Sequence, residues 1–167
     1  MKIVAIECGK LAFAGLLAGC FIMAAAMPAR AGLGGNLNSI ESDATAMRGT
    51  MSSPAATEAA QPAGAYSVKS FVTSSGVKVR EYAAPSGAVF GVAWQGHRPP
   101  DLSVLLGSYY REYESVAALK THRELNRAVT RGPNSVVIMA GHMGHMSGRA
   151  YVPSLAPAGV DPVAVVK

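Results

Sequence analysis

Cysteine is nearly absent from this chain, and the two it has, Cys8 and Cys20, both stand within the first twenty residues. Removal of that segment would leave no thiol, so no disulfide framework, thiolate zinc site or Cys-His nucleophile could be built from the remainder. Acidic residues are also sparse, ten Asp and Glu against fifteen Lys and Arg, for a formal net charge of +5. They are scattered: Glu112 and Glu114 point apart on a helix, so no paired acid and base is indicated there. A nucleophile elbow and a His-Glu-x-x-His helix are missing as well. Ser147 has His142 and His145 close by in sequence, but a catalytic triad draws its members from separate segments. The Gly32-x-Gly34 start has Leu37 where a dinucleotide loop needs its third glycine, and no strand precedes it, so nucleotide binding is excluded. After Met27 no apolar stretch is long enough to span a bilayer as a helix.

What is present begins with an export signal. Lys2 and Lys10, an apolar run from Leu11 to Met27 and the small-residue tripeptide Ala29-Arg30-Ala31 read as a secretory signal peptide over residues 1–31. The expected product is a periplasmic or secreted protein starting near Gly32. An alternative processing site competes, because Leu17-Ala18-Gly19-Cys20 matches a lipobox, in which Cys20 is acylated and anchors the chain to the membrane. Against it, Phe21 to Met27 stays apolar beyond that cysteine. Cleavage also removes Lys2, Lys10, Arg30 and Glu7, which leaves a modest positive charge. That charge is weak support for an anionic partner, and export argues against nucleic acid.

The mature chain divides by composition. Residues 32–65 read as a flexible N-terminal segment, with a short helix over Ser39 to Arg48 and an Ala, Pro and Ser linker from Thr50 to Ala65. From Tyr66 the pattern alternates. Ser74-Ser75-Gly76 and Pro85-Ser86-Gly87 mark turns, so Tyr66 to Phe71, Val77 to Tyr82 and Ala88 to Trp94 are predicted as an antiparallel meander. Val77, Val79 and Glu81 share one face of the middle strand, with Lys78, Arg80 and Tyr82 on the other. The almost wholly apolar run Ala88 to Trp94 suits a central strand. Asp101 is a good N-cap for a helix carrying Leu102, Leu105, Tyr109, Tyr113 and Val116, with a basic extension at Lys120, Arg123, Arg127 and Arg131. Ser135 to Ala140 and Gly148 to Val152 read as two further strands. The prediction is an α+β domain over 66–152: a meander packed on one main amphipathic helix, two C-terminal strands, and a Pro-rich tail over 153–167.

Separated motifs then occur in order: Leu33-Gly34-Gly35, Val79-Arg80-Glu81-Tyr82, Pro85-Ser86-Gly87, Val89-Phe90-Gly91-Val92-Ala93-Trp94, Pro100-Asp101-Leu102 with Leu105-Leu106-Gly107, and Gly141-His142-Met143 with Ser147-Gly148-Arg149-Ala150-Tyr151. In these the chain resembles a proteobacterial family of short exported proteins described only as a domain of unknown function (DUF2844-like). The resemblance implies export and supplies no catalytic residues.

Two constellations bear on function. His142, Met143, His145 and Met146 put two imidazoles and two thioethers into five residues, a donor set suited to Cu(I). The competing reading is a glycine-punctuated hairpin connection. Lys120, Arg123, Arg127 and Arg131, at intervals of three, four and four, form one helical face that could meet headgroups or an acidic partner, although Glu124 interrupts it. With no catalytic motif, the sequence predicts a non-enzymatic exported accessory or binding module without a cofactor, its partner an unknown protein or envelope component. Periplasmic copper binding at His142, Met143, His145 and Met146 is the alternative, and membrane attachment follows only if Cys20 is lipidated.

Overall fold

The structure, a computed structural model, describes residues 32–52, 64–119 and 126–167. The signal segment with Cys20, most of the Ala, Pro and Ser linker, and Lys120 and Arg123 lie outside the described residues.

Among the described residues seven strands form one antiparallel sheet. They are β1 (Thr50–Ser52), β2 (Ser67–Val72), β3 (Lys78–Ala83), β4 (Val89–Gly96), β5 (Arg127–Arg131), β6 (Val136–His142) and β7 (His145–Tyr151). Their spatial order is β1-β2-β3-β4-β7-β6-β5, so two meanders meet where β4 pairs with β7. Four short helices, α1 (Ile40–Ala46), α2 (Leu102–Leu105), α3 (Tyr110–Ala118) and α4 (Pro162–Val165), complete a mixed α+β fold. The turns fall where glycine allows them: Gly76 and Gly87 take φ of 77° and 87°, a left-handed region that costs other residues strain.

β4 is the middle strand of the seven, and Val89 to Trp94 are all buried. A strand covered on both faces needs no polar alternation, which is why its sequence reads as one apolar run. A bulge sorts its side chains. Ala83 pairs with Val89 and Tyr82 with Gly91, so Phe90 is the extra residue. Val89, Val92 and Trp94 join Phe71, Val79 and Leu105 on the first face, while Phe90 and Ala93 join Tyr82, Tyr151 and Val166 on the second.

The first face is covered partly by the segment whose composition suggests flexibility. Leu33 N donates to Leu105 O at 2.8 Å, Gly34 N to Val89 O at 2.8 Å, and Val89 N to Gly35 O at 2.9 Å. Leu33 and Ile40 are fully buried. Glycines 32, 34 and 35 here let backbone thread between α2 and β4, a use of glycine that composition cannot distinguish from disorder. The expected helix after Ser39 is α1, and Arg48, with φ of 48°, ends it beside Gly49. β1 follows at once and pairs with β2, inside the stretch read as linker.

The expected single helix from Asp101 is broken. Asp101 does cap α2, its Oδ1 accepting from Ser103 N at 2.9 Å, but a 3-10 turn over Gly107–Tyr109 separates α2 from α3. Gly107 has φ of 50°, outside the helical range, and Leu105 O, which a continuous helix would bond to Tyr109 N, accepts from Leu33 N at 2.8 Å instead. The basic extension is corrected too. Arg127 and Arg131 belong to β5, paired with β6, not to a helix. The β-branched Val129 and Thr130 between them favour extended backbone, and a spacing of four keeps both arginines on one side of a strand as well.

The second face is closed by the proline-rich segment after Val152. Arg149 donates to Val163 O and Val166 O, both at 3.1 Å, and Tyr82 Oη donates to Lys167 O at 3.0 Å. Val166 sits in the space above Gly91, where any Cβ would run into it. Gly91→Ala is therefore expected to cost about 1–3 kcal/mol in urea unfolding, as overpacking does. Val166→Ala in the same chain should recover part of that loss; strictly additive costs would show that the two positions do not meet.

Candidate functional site

Pairing across the sheet gathers cations that are far apart in sequence. On the second face Arg80 of β3, Ala93 of β4, Arg149 of β7 and Ile138 of β6 stand in one register row. The adjacent row runs through Lys78, Gln95, Ser147, Ala140 and Arg127. Between the rows lies a hollow of about 390 Å³ lined by Arg80, Arg127, Arg149 and Lys167, with Gln95 and Ser147 as polar neighbours and Ile138 and Ala140 as an apolar floor. No carboxylate side chain lines it. Arg149 is held in place by the two carbonyls of the C-terminal segment. Arg80 and Arg127 form no ion pair among the described residues. Guanidinium forks on a concave, uncompensated surface suit planar anions such as carboxylate and phosphate.

The His-Met segment closes the β6–β7 hairpin, as its bland reading anticipates. His142 and His145 are register partners, and Gly144, with φ of 84°, turns the chain. The two rings stack with centroids 5.9 Å apart and planes at 28°. His145 Nε2 lies 3.2 Å from Gln95 Nε2 at the edge of the basic hollow, and His97 Nδ1 lies 2.8 Å from Gly144 O. Met143 is 98% exposed at the tip. Met146 is turned by the pleat to the other face, its sulfur beside Gly141. The hairpin thus brings two of the four donors together and separates the thioethers. Among the described residues no group of three His, Cys, Asp or Glu could hold a metal.

The first face carries a buried acid. Glu81 of β3 lies opposite Lys69 of β2 and Val92 of β4 and is fully buried, with no hydrogen-bond partner for either carboxyl oxygen among the described residues. Its pKa is pushed up to about 8, chiefly by burial and further by the charge of Asp43, with Lys69 acting the other way. Asp43 comes from α1 and is itself buried. Lys69 Nζ reaches Leu37 O at 3.5 Å and Glu41 at 3.9 Å. The strand pattern places Glu81 on the inner face correctly, but nothing local reveals that α1 brings Asp43 to it.

Glu112 has a different task from acid–base chemistry. Its Oε1 accepts from Asn134 N at 3.0 Å, Ser135 N at 2.9 Å and Ser135 Oγ at 2.8 Å, and Oε2 accepts from Asn134 Nδ2 at 3.0 Å. It fastens α3 to the β5–β6 turn. Burial works against the charged form, but these bonds outweigh it and hold the carboxyl below its usual range. Tyr109, Tyr110 and Tyr113 pack on the first-face core.

The profile of one family, described as Protein of unknown function (DUF2844), matches residues 29–165. The chain belongs to the DUF2844 family. No curated protein and no solved structure matches it. The matched span takes in both the segment that docks on the first face of this DUF2844 domain and most of the one that closes the second, so both covers fall within the family unit.

Because the folded pKa of Glu112 lies below its unfolded value, the stability it confers is present above about pH 4.5 and is lost as pH falls through the folded value. Glu112→Ala should lower unfolding free energy at pH 7 by about 1–3 kcal/mol, as loss of charge-assisted hydrogen bonds does, and the deficit should shrink in acid. Urea unfolding of both proteins at pH 3 and pH 7 checks this; an equal deficit at both would contradict it.

Proposed function

We propose that this DUF2844 chain is an exported, non-catalytic accessory module that binds an anionic component of the cell envelope in the basic hollow of its sheet. The observation that carries this reading is the convergence of Arg80, Arg127, Arg149 and Lys167 on one concavity without a carboxylate side chain. Its floor and polar rim supply what a charged ligand with an apolar or hydroxylated body needs beside its anionic group. Ser147 supports a binding role over a nucleophilic one, since its Oγ donates to Ala140 O at 3.3 Å. Export rests on the signal peptide over residues 1–31, and cleavage after Ala31 makes the chain a released protein.

Intact-mass measurement of exported protein is expected to find Gly32 as the first residue. Titration of that protein with purified lipopolysaccharide and with a polyuronate should show binding to at least one, weakening as salt rises. Arg80→Ala with Arg127→Ala should reduce the affinity at least tenfold with only a small fall in thermal unfolding temperature, because Arg127 is exposed and Arg80 is half-buried and outside the apolar core. Unaltered affinity in the double variant, or no binding to either polyanion, would overturn the reading.

A further inference from the structure

The basic hollow is bounded at one end and continues at the other. On the second face the positions along β7 run Tyr151, Arg149, Ser147, His145, and those along β4 run Gly91, Ala93, Gln95, since residues two apart share a side of a strand. At the Gly91 and Tyr151 end the C-terminal segment covers the sheet: Val166 lies on Gly91, and Arg149 is tied to Val163 O and Val166 O, both at 3.1 Å. At the other end Gln95, His142 and His145 are exposed, and the Nε2 atoms of Gln95 and His145 are 3.2 Å apart. His145 stacks on His142 of β6, its register partner. His97, which follows Gln95 on the same side, donates from Nδ1 to Gly144 O at 2.8 Å and so ties the hairpin turn to the end of β4.

The chemistry changes along this path. Arg80, Arg127, Arg149 and Lys167 stand around its inner part, where Ile138 and Ala140 make a small apolar floor. Farther out come Ser147, Gln95 and the two imidazoles, which offer donors, acceptors and flat ring faces. An acyl chain would need apolar surface to continue there, so the body that fits is hydroxylated. From Arg149 to His145 the strand advances about 13 Å, a span longer than one sugar ring. We infer that the hollow is the inner end of an extended site for an acidic oligosaccharide, which lies along β4 and β7 with a carboxylate among the arginines and a later ring against the His142–His145 pair. This rests on the anion-binding reading of the hollow and deepens it by naming the body of the ligand. Guanidinium forks take the planar carboxylate, and ring hydroxyls meet Ser147, Gln95 and the imidazole nitrogens. A single sugar acid reaches only the inner part. A longer chain reaches both, so affinity depends on length.

The experiment is calorimetric titration of the chain from Gly32, at one fixed pH and salt concentration, with galacturonate and with its linear dimer, trimer and tetramer. Affinity is expected to rise at least tenfold from monomer to trimer. His142→Ala with His145→Ala should cut trimer affinity at least fivefold more than monomer affinity, and thermal unfolding should move little because both side chains are exposed. Arg80→Ala with Arg127→Ala should instead weaken monomer and trimer alike. Equal affinity for every length, or a rise with length that survives the loss of both histidines, would overturn the extended site while leaving the hollow as an anion site. No binding of any oligomer to the wild-type chain would overturn the extended site as well, and lipopolysaccharide titration would then decide alone whether the hollow binds anions.

Discussion

The fold depends on the burial of β4 on both faces. A seven-stranded antiparallel sheet with Val89 to Trp94 at its centre exposes two apolar surfaces unless something covers each, and α3 with its tyrosines reaches only part of one. The chain meets that demand with the two segments that flank the sheet-forming stretch. Residues 32–49 bring Leu33 and Ile40 onto the first face, and residues 153–167 bring Val166 onto the second. Both covers are anchored by backbone hydrogen bonds or arginine-to-carbonyl bonds and not by apolar area alone. That compensates for their shortness, since small irregular segments cannot bury much surface on their own.

The two faces then diverge in chemistry. On the first, dry packing buries the carboxyl groups of Glu81 and Asp43, and burial pushes the Glu81 pKa up to about 8. On the second, the C-terminal segment covers the half of the sheet around Phe90 and Gly91, and the other half carries a basic concavity that Lys167 borders. Arg149 belongs to both halves: its guanidinium ties down α4 while lining the hollow.

Much of the sheet was legible from the sequence because the signals were local. Turn residues at Gly76 and Gly87, alternation through β3 and the apolar run of β4 each report on their own neighbourhood, and the structure has all three strands. The helix after Asp101 was legible as a start but not as a length. At the break the backbone N–H of Leu33, about seventy positions earlier, takes the Leu105 carbonyl that a continuous helix would use. Arg127 and Arg131 illustrate a degeneracy: intervals of four leave residues on one side of a helix or of a strand, and only pairing with β6 decides between them. The hollow was not legible at all, since Arg80, Arg127 and Arg149 meet through the β3–β4–β7–β6–β5 register and share no linear motif.

Native-state hydrogen exchange on the chain from Gly32, at one fixed neutral pH, tests the central claim most directly. If both segments are integral covers of β4, the amides of Leu33 and Gly34, bonded to Leu105 O and Val89 O, and that of Val166, bonded to Pro162 O, should exchange with free energies approaching those of the β4 amides. The three positions would then open together with the sheet. Rapid exchange at Leu33, Gly34 and Val166 while Val89 to Trp94 keep full protection would contradict the account, because β4 would then be buried without the segments held here to bury it.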